Sequence, residues 1–535
     1  MFCRIRMVRL LHGLLYGAVV FGAVAGCSPG DYKAQADKEV YGIIDAKWQD
    51  HFGKKANYRI SSVPPSPNDL QAEKVQPEGV INLGQAVAIA TANNRNYQTQ
   101  KEQLYLKALD LTLARHAFAR QWFGTFDAAY VREAEESQAG YNAGLGFSRF
   151  LAMGTQVSTS IALDWARFLS GDPRTSLGSV FSATITQPLL RGSGRLIAQE
   201  NLTQAERDTL YQIRDFNRYR QTFVVSIINE HYRVLQQRDR VINAENDLQR
   251  KMDSKDRLEW EFKAGRRSRI DVDEAGQNVL RAQNSLVRAK QTYEQMLDQF
   301  KITLALPTDA NIALDQNDLR RLEDMGLWEP DYTVATAVET ALRGRLDLAN
   351  DRDEVDDAMR KVVVAADELR ADLNLTAGAQ VNSTPRTDYS RLEFHRGTYN
   401  LGVESALPLD RKAERNAYRR ALITFDQHWR GYKESEDNVK LDVRQAYREL
   451  REAADRYDIQ RNSLELAKRR VESNELLLDA GRVTVRVLLE SQDSLVLAQN
   501  EVTAALVDYL IARLSFYRDS GILQVKPDGM WEEVQ

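Results

Sequence analysis

The chain has 535 residues, with 72 lysine and arginine residues against 76 aspartate and glutamate residues and a formal net charge of −4. The charges are interspersed rather than clustered, which is typical of solvated helix faces and argues against a nucleic-acid partner. Both cysteines, Cys3 and Cys27, lie at the extreme N-terminus, which excludes a disulfide that holds the body of the fold together.

Residues 1–26 have the pattern of a secretory signal peptide. Three arginines among the first nine residues precede the apolar stretch Leu10–Ala23, and small residues lead up to Cys27. The sequence Val24-Ala25-Gly26-Cys27 resembles a bacterial lipobox, which implies cleavage before Cys27 and its acylation, palmitate included. An ordinary signal peptide with an incidental cysteine is the alternative. Ser28, where lipoproteins retained in the inner membrane usually have aspartate, implies sorting to the outer membrane.

Residues 27–80 are predicted to form a strap between the lipid anchor and the body. Ala34–Trp48 has the pattern of a short amphipathic helix, and four prolines between 64 and 77 keep the following chain extended. A disordered tether is the alternative. No later run approaches the roughly 20 apolar residues that a transmembrane helix requires. A mature chain that crosses a membrane must therefore do so as a closed β-barrel, because only helices and barrels satisfy their backbone groups in lipid.

The body of the chain is built twice. Ala264-Gly265-Arg266 recurs as Ala480-Gly481-Arg482, and Ala282-Gln283-Asn284 recurs at the same spacing as Ala498-Gln499-Asn500. After each glycine, apolar residues follow a heptad pattern, which predicts a coiled-coil helix. We therefore divide the body by its internal repeat. The parts are a first repeat at 81–306, an insert at 307–332, a second repeat at 333–520 and a C-terminal tail at 521–535.

Each repeat opens with a helix. Asn82 is a candidate N-cap for a helix over Leu83–Ala119. The second repeat has the same apolar pattern from Val334, followed by a break at Gly344-Arg345. The two halves therefore start alike.

Strands follow in both repeats. Apolar and polar residues alternate between 122 and 188 and again between 372 and 408, which predicts strands with two unlike faces. The first segment has room for an additional hairpin, and Ser170-Gly171-Asp172-Pro173 predicts a surface loop. Such strands are typical of a transmembrane barrel, but they fit a soluble sandwich equally well.

A very long helix comes next in each repeat, over about Leu196–Lys263 and Lys412–Ala480. At 1.5 Å per residue each would be roughly 100 Å long, which no globular domain needs. The helices that return from Asp271 and Val487 are about half as long. Two short helices can therefore stack end to end beside each long one.

The two tips, at 264–270 and 480–486, reverse the chain. Gly265 and Gly481 lie where a helix must end, and we expect a positive φ at both. The tips are therefore predicted to be tight turns between antiparallel helices.

From about Leu83 to Gly521 the chain resembles the TolC-type outer-membrane efflux channel family. The resemblance is carried by the lipobox, the doubled element order, the join Gln187-Pro188-Leu189-Leu190-Arg191-Gly192, and the two Ala-Gly-Arg tips ahead of Ala-Gln-Asn. It implies a mainly α fold with a β-barrel portion. It also implies a homotrimer. Each subunit would contribute four strands to one twelve-stranded barrel in the outer membrane, and its helices to a coiled-coil tunnel through the periplasm.

The resemblance also implies a function and partners. The chain would be a passive conduit in a tripartite efflux or secretion system, anchored in outer-membrane lipid, with a periplasmic adaptor (membrane fusion) protein and an inner-membrane pump of RND or ABC type. It implies no cofactor and no metal. The cargo, the identity of the pump and its energy source are not specified by the sequence.

In this family the tips close the tunnel like an iris until an adaptor opens them. The family's tip aspartate matches Asp271, and its deeper carboxylate matches Glu490, so that a ring of three Glu490 would favour cations at the mouth. Adaptor docking around the tips is implied for four residues, which are Gly265, Arg266, Gly481 and Arg482.

The chain departs from the family where the closed state is latched. The best-known member has a tyrosine before the second glycine and an arginine after it, and this chain has Leu478 and Val483 instead. Either the latch is rebuilt from Arg482 or Arg486 with Asp271, or it is absent. Charges that only solubilise a helix end are a further explanation of these side chains.

The sequence also bears on two other classes of function. The six histidines have no metal-ligand spacing and no catalytic or nucleotide-binding motif is present in the sequence, so an enzyme is not expected. A lipid-anchored periplasmic coiled-coil scaffold without a pore is the serious alternative. Four side chains distinguish the two, because they would face lipid in a channel and pack internally in a scaffold: Trp165, Phe181, Tyr399 and Leu401.

Overall fold

The computed structural model describes residues 28–49, 52, 53, 55, 57–60, 79–132, 137–168, 175–327, 333–384, 388–407, 409–526 and 531–532. Cys27 with the signal peptide, and the loop predicted at Ser170–Pro173, lie outside these residues. The described chain is mainly helical and contains one large antiparallel sheet.

The strap contains a capped helix, α1 (Pro29–Lys47). It begins five residues before the predicted start at Ala34, because Ser28 and Asp31 form a capping box that satisfies the first backbone N–H groups. Val40 and Ile44 are buried against the body. The strap is therefore docked over this helix rather than a disordered tether.

The first repeat opens with two helices, α2 (Leu83–Asn93) and α3 (Arg95–His116), after a two-residue strand β1 (Val80–Ile81). The prediction of one helix over Leu83–Ala119 is wrong at Asn94. The Asn94 N–H donates to the carbonyl of Ala90, and its side-chain oxygen accepts from the N–H of Tyr97. Asn94 thus ends one helix and caps the next, since a short amide side chain competes with the helical backbone.

The sheet strands of the first repeat are β2 (Gln121–Arg132), β3 (Ser137–Phe150), β4 (Gln156–Phe168) and β5 (Thr175–Pro188). They are followed by the short helix α4 (Arg195–Ala198), the long helix α5 (Glu200–Lys263) and the return helix α6 (Arg269–Thr303). The insert between the repeats forms β6 (Ala313–Leu314), which pairs with β1, and α7 (Asn317–Met325).

The second repeat follows the same order. It contains α8 (Val334–Gly344), α9 (Leu346–Asp367), β7 (Asp372–Thr384), β8 (Asp388–Leu392), β9 (Thr398–Ala406), α10 (Lys412–Asp479) and α11 (Val485–Asp519). The chain ends with β10 (Gln524–Val525) and β11 (Trp531–Glu532). The break predicted between α8 and α9 is confirmed at Arg345.

The long helices have the predicted proportions. α5 has 64 residues and α10 has 68, against 35 in each return helix. Both return helices begin two residues earlier than predicted. α10 packs against α8, α9 and α11, and α5 packs against α3 and α6, so short helices do stack along the long ones.

The core lies where these helices meet. Large side chains that are fully buried include Phe216 on α5, Phe300 on α6 and Phe516 on α11. Among the described residues, α11 alone has a stretch that is long and apolar enough to cross a membrane by composition. Half of that stretch is buried inside the molecule, as in the core helix of a bundle, and this explains its high hydropathy without a membrane.

The sheet has six long antiparallel strands in the order β2-β3-β4-β5-β7-β9, and the short strand β8 pairs with the far end of β7. This differs from the four strands per subunit that the resemblance implies. β2 and β3 form a hairpin that precedes the remaining four strands. It corresponds to the additional hairpin that the sequence pattern allowed.

The pairing register places the large apolar side chains of every long strand on one face. For example, Leu145 lies opposite Ile161, which lies opposite Phe181. The other face is polar or small, although Phe123, Val131, Phe150 and Val180 are exceptions. The apolar face carries Trp122, Phe126, Tyr130, Tyr141, Leu145, Phe147, Ile161, Leu163, Phe181, Ile185, Leu375, Tyr399, Leu401 and Val403.

Candidate functional site

The two helical tips end in the same backbone motif. Gly265 and Gly481 have φ of 73° and 69°. The N–H of Gly265 donates to the carbonyl of Phe262 and that of Arg266 to Glu261, and the second tip repeats both bonds from its own glycine and arginine. This is a Schellman motif, which satisfies the last carbonyls of each long helix. The predicted positive φ is confirmed at both glycines.

Asp271 lies in the first turn of α6, where it has a structural partner. Its Oδ2 accepts from the Ser268 hydroxyl at 2.8 Å and from the Ser268 N–H at 3.1 Å, while the Asp271 N–H donates to the Ser268 hydroxyl. The aspartate therefore completes a capping box and stabilises the start of the helix. At the equivalent place in the second tip, the side chain of Thr484 makes no capping hydrogen bond.

An apolar cluster joins the two tips within one chain. Leu478, at a position where the resemblance led us to expect a latch, is buried in this cluster, and Val483 packs against it half-buried. The chain thus holds its two hairpins together by burial of apolar surface. The cluster consists of Leu258, Val272, Ala275, Leu478, Val485, Leu488 and Leu489.

Arg267, which was not among the residues predicted from the sequence, links the hairpins as well. Its Nε lies 2.6 Å from Glu261 Oε2, and its Nη2 donates at 2.9 Å to the carbonyl of Leu478 at the end of α10. A cation is favourable at a helix C-terminus, where carbonyls lack intrahelical partners. Comparison of the two tips would have found it, because the repeat aligns Arg267 with Val483.

The other charged residues predicted at the tips, Arg482, Arg486 and Glu490, do not contact Asp271 within the described chain. Arg486 Nε lies 3.4 Å from Glu274 Oε1, on the neighbouring hairpin. Arg482 and Glu490 are exposed. Within the described chain neither Arg482 nor Arg486 forms an ion pair with Asp271. Glu274 and Glu490 are equivalent in the repeat, yet only Glu274 has an arginine partner among the described residues.

A buried lysine with two acidic partners lies on the same helices, away from the tips. Lys251 is only 4% exposed, and its Nζ lies 2.9 Å from Asp247 and 2.5 Å from Asp493 on α11. Burial raises the pKa of Asp247, although the Lys251 ammonium opposes this shift. A buried charge is costly unless paired, and Lys251 is paired both within α5 and with Asp493 on α11, whose side chain is 49% exposed.

Among the described residues, no group of three or more histidine, cysteine, aspartate or glutamate side chains is arranged to hold a metal ion.

Comparisons with known proteins agree with this architecture. Residues 337–521 match the family model described as outer membrane efflux protein. No curated protein matches the sequence.

Solved structures with the same fold include three outer-membrane proteins. CusC has a TM-score of 0.59 at 13% identity, covering 88% of this chain and 99% of CusC. VceC of Vibrio cholerae has a TM-score of 0.58 at 13% identity, covering 85% of this chain and 99% of VceC. The open state of MtrE of Neisseria gonorrhoeae has a TM-score of 0.60 at 11% identity, covering 82% of this chain and 88% of MtrE.

Proposed function

We propose that this chain, as a TolC-type outer-membrane efflux protein, is the channel component of a tripartite efflux or secretion system. The premise is supported by the fold of most of its length and by the sequence of residues 337–521. It acts as a passive conduit from a periplasmic adaptor protein, and an inner-membrane pump of RND or ABC type behind it, to the cell exterior. The observation that carries the proposal is the continuity of a two-faced sheet with helical hairpins that are roughly 100 Å long.

A homotrimer is proposed because one chain leaves its sheet open. β2 and β9 are the two edges of the sheet and do not pair with each other. In lipid an unpaired edge is prohibitive, because each unsatisfied backbone group costs several kcal/mol. Copies of the same chain close the sheet and, at the same time, cover the exposed seams of the long helices.

The faces of the sheet support a pore in the outer membrane. The apolar face meets lipid, and the polar face, with residues such as Asn142, Asp164 and Asn400, lines water. The helices then extend into the periplasm. Acylation of Cys27 adds a second attachment to the same membrane, and α1 begins two residues after this cysteine.

The tips are proposed as the gate and the docking surface. Arg266 and Arg482 are exposed next to the turn glycines Gly265 and Gly481, where an adaptor can reach them. Asp271, Glu490, Arg482 and Arg486 are the charges proposed to act at the constriction. Because the tips of one chain already pack against each other, opening would move the paired hairpins of each subunit as a unit.

The scaffold alternative requires the apolar strand face to be packed internally. Tyr399 and Leu401 are 60% and 77% exposed, which favours a lipid-facing role. Phe181 is half-buried and contacts the ring of Phe394 at 6.2 Å between centroids. The side chain of Trp165 lies outside the described residues.

Single-channel conductance in a planar bilayer tests the proposal. We expect long-lived openings with cation preference, weakened by Glu490→Gln. Each of three carboxylates about 6 Å from a permeating cation contributes roughly 0.7 kcal/mol in water, so their loss lowers the preference several-fold after screening by salt. Glu472→Gln, an exposed glutamate on the same hairpin, is the matched control. A trimer that never conducts, even with its tip charges removed, contradicts the channel and supports the scaffold.

A further inference from the structure

The hairpin β2–β3 is long enough to be part of a membrane wall. β2 has 12 residues and β3 has 14, and a tilted transmembrane strand needs only about 9–11. The β2–β3 register runs from Gln121↔Ser148 to Arg132↔Ser137 without a shift, and β3 then pairs with β4 from Gln138↔Phe168 to Phe150↔Gln156. The hairpin is therefore continuous with the rest of the sheet along its full length.

The turn between β3 and β4 is packed into the junction where the sheet meets the helices. Gly154 has φ of 89°, and a Cβ there would lie 2.6 Å from the carbonyl oxygen of Gly192. The N–H of Gly194 donates to the carbonyl of Met153, and Arg149 Nε donates to the carbonyl of Phe118. Only glycine fits at position 154, so this turn is built for the close approach. The hairpin is thus held at the helical end of the sheet.

The faces of the hairpin continue those of the other strands. On the apolar face, Trp122, Phe126 and Tyr130 of β2 are each more than 60% exposed. On the polar face, the Asn142 amide of β3 donates to the Asp164 carboxylate of β4. A hairpin that plugged an aqueous lumen would have water on both faces, and such an apolar stripe would have no lipid to cover it.

Aromatic residues mark both ends of that stripe. Trp122 lies at the helical end, where its ring contacts Phe147 at 5.2 Å between centroids, and Tyr130 lies eight residues further along β2. At a strand tilt of about 40°, eight residues span about 20 Å of membrane depth, close to the roughly 25 Å apolar band between the aromatic girdles of a barrel.

The edges of the sheet are complementary in direction. β2 leaves the helical end from α3, and β9 returns to the helical end and enters α10. β2 is exposed along its whole length, and β9 along all but one of its residues. Around a three-fold axis β2 of one subunit would meet β9 of the next in antiparallel orientation, as a closed up-and-down barrel requires.

We propose that each subunit contributes six strands, so that three subunits close one eighteen-stranded barrel with β2 of one subunit paired to β9 of the next. The occupant of both free edges is thus a second copy of this chain. The inference rests on the proposed trimeric channel and changes its dimensions. With strands about 4.8 Å apart and tilted by about 40°, the backbone diameter is about 36 Å, compared with about 24 Å for twelve strands.

Cysteine cross-linking in the membrane-embedded full-length protein tests which strands meet. Leu401→Cys on β9 is combined in turn with cysteines at Trp122, Gly124, Phe126 and Ala128 on β2, and in a second series at Val157, Thr159, Ile161 and Leu163 on β4. A short bifunctional thiol reagent is used because a direct disulfide forms only over a narrow range of distances. The reagent tolerates a small offset while the scan identifies the register between subunits. We expect a covalent trimer on a denaturing gel from the β2 series and monomer from the β4 series and from each single cysteine. A covalent trimer from the β4 series overturns the inference, since β9 would then meet a four-strand subunit.

Electron cryomicroscopy of the protein in lipid nanodiscs provides the second readout, without any substitution. Eighteen strands around the three-fold axis support the inference. Twelve strands, with residues 121–150 outside the wall, overturn it and leave the proposed channel intact. A particle without a closed barrel overturns both this inference and the proposed function.

Discussion

Gly265 and Gly481 are the residues on which the tips depend most directly. Each ends a helix of more than sixty residues with a positive φ, and a Cβ added at either position would meet nothing within 4 Å. A side chain at either position would therefore strain the backbone without clashing with a neighbour. The effect of a substitution thus reports the need for a positive φ and not the packing around the turn.

We expect Gly265→Ala and Gly481→Ala each to destabilise the local turn by about 1–2 kcal/mol, the cost of a left-handed backbone with a Cβ. Hydrogen exchange of the amides that follow each glycine measures this, as faster exchange. Gly276→Ala, in the interior of α6 with open space around it, is the control and should stabilise its helix by up to about 1 kcal/mol. Equal effects at the tip and control positions would contradict the prediction.

At the scale of elements, the question is how hairpins and strap are held together. The two tips share one apolar cluster, and Arg267 adds a polar connection across it. α1 is held to the body by buried side chains and by Lys47, whose ammonium pairs with Glu206 on α5. Both connections join segments that lie far apart in the sequence.

Arg267→Ala should loosen the packing between the two tips by about 1 kcal/mol, because it removes the hydrogen bond to the Leu478 carbonyl and the ion pair with Glu261, while the Leu478 carbonyl keeps the Gly481 N–H as a donor. Hydrogen exchange of the residues around Leu478 on the other hairpin is the measurement. Arg266→Ala, which removes the exposed neighbour, should change exchange there by less than about 0.5 kcal/mol. If both variants behave alike, Arg267 does not connect the hairpins.

The strap should loosen in acid. Against the opposing effect of burial, Lys47 and Arg115 hold the pKa of Glu206 below its usual range. The stabilisation is therefore present above the ordinary glutamate pKa of about 4.3 and is lost as the pH falls below it, by about 1 kcal/mol. We expect limited proteolysis of α1 to accelerate in that range.

Glu206→Gln should remove this component of the pH dependence, since the amide cannot titrate, and should speed cleavage already at pH 7. Glu39→Gln, at an exposed position on α1, should keep the original profile. An unchanged profile in Glu206→Gln would show that other carboxylates control the strap.

At the scale of the whole molecule, the apolar face of six strands and the two open edges decide how copies assemble. The face runs from Trp122 on β2 to Leu401 on β9. Most of the large apolar side chains described on this face are exposed within one chain, while the opposite face is suited to water. Lipid outside and water inside are the environments that satisfy both faces at once.

Leu401→Arg and Asn400→Arg, at neighbouring positions of β9, test this assignment. Arginine at Leu401 would enter lipid at a cost of about 2–4 kcal/mol per subunit if it lies near the bilayer midplane, and we expect the membrane-inserted trimer to be lost. Arginine at Asn400 would face the lumen, and the trimer should persist with altered ion selectivity. The amount of trimer in outer-membrane fractions is the measurement, and the reverse order of sensitivity would invert the assignment of the faces.

Much of the fold was predictable because it depends on local pattern. The heptads of α6 and α11, the lengths of α5 and α10, and the positive φ at Gly265 and Gly481 follow from periodicity or from what one backbone position requires. The break at Asn94 was not predicted, because asparagine is tolerated inside a helix. Here its side chain instead accepts a hydrogen bond from the Tyr97 N–H and caps the next helix. Within the site, the glycine turns were predictable. The two tips differ visibly at Arg267, which the repeat aligns with Val483, but the partners of Arg267 and the pairing of Arg486 with Glu274 could not be predicted, because each contact joins two hairpins.

The sequence by itself determined that the chain is a duplicated unit of strands and long helices that reverse at glycine tips, because repeats and periods are properties of neighbouring residues. Only the tertiary structure decided that β2 and β3 join the same sheet as β7 and β9, and that Leu478 lies in a cluster between the two tips. Strand order and hairpin packing depend on contacts between residues hundreds of positions apart, and no local pattern specifies which of several equally amphipathic strands will be neighbours.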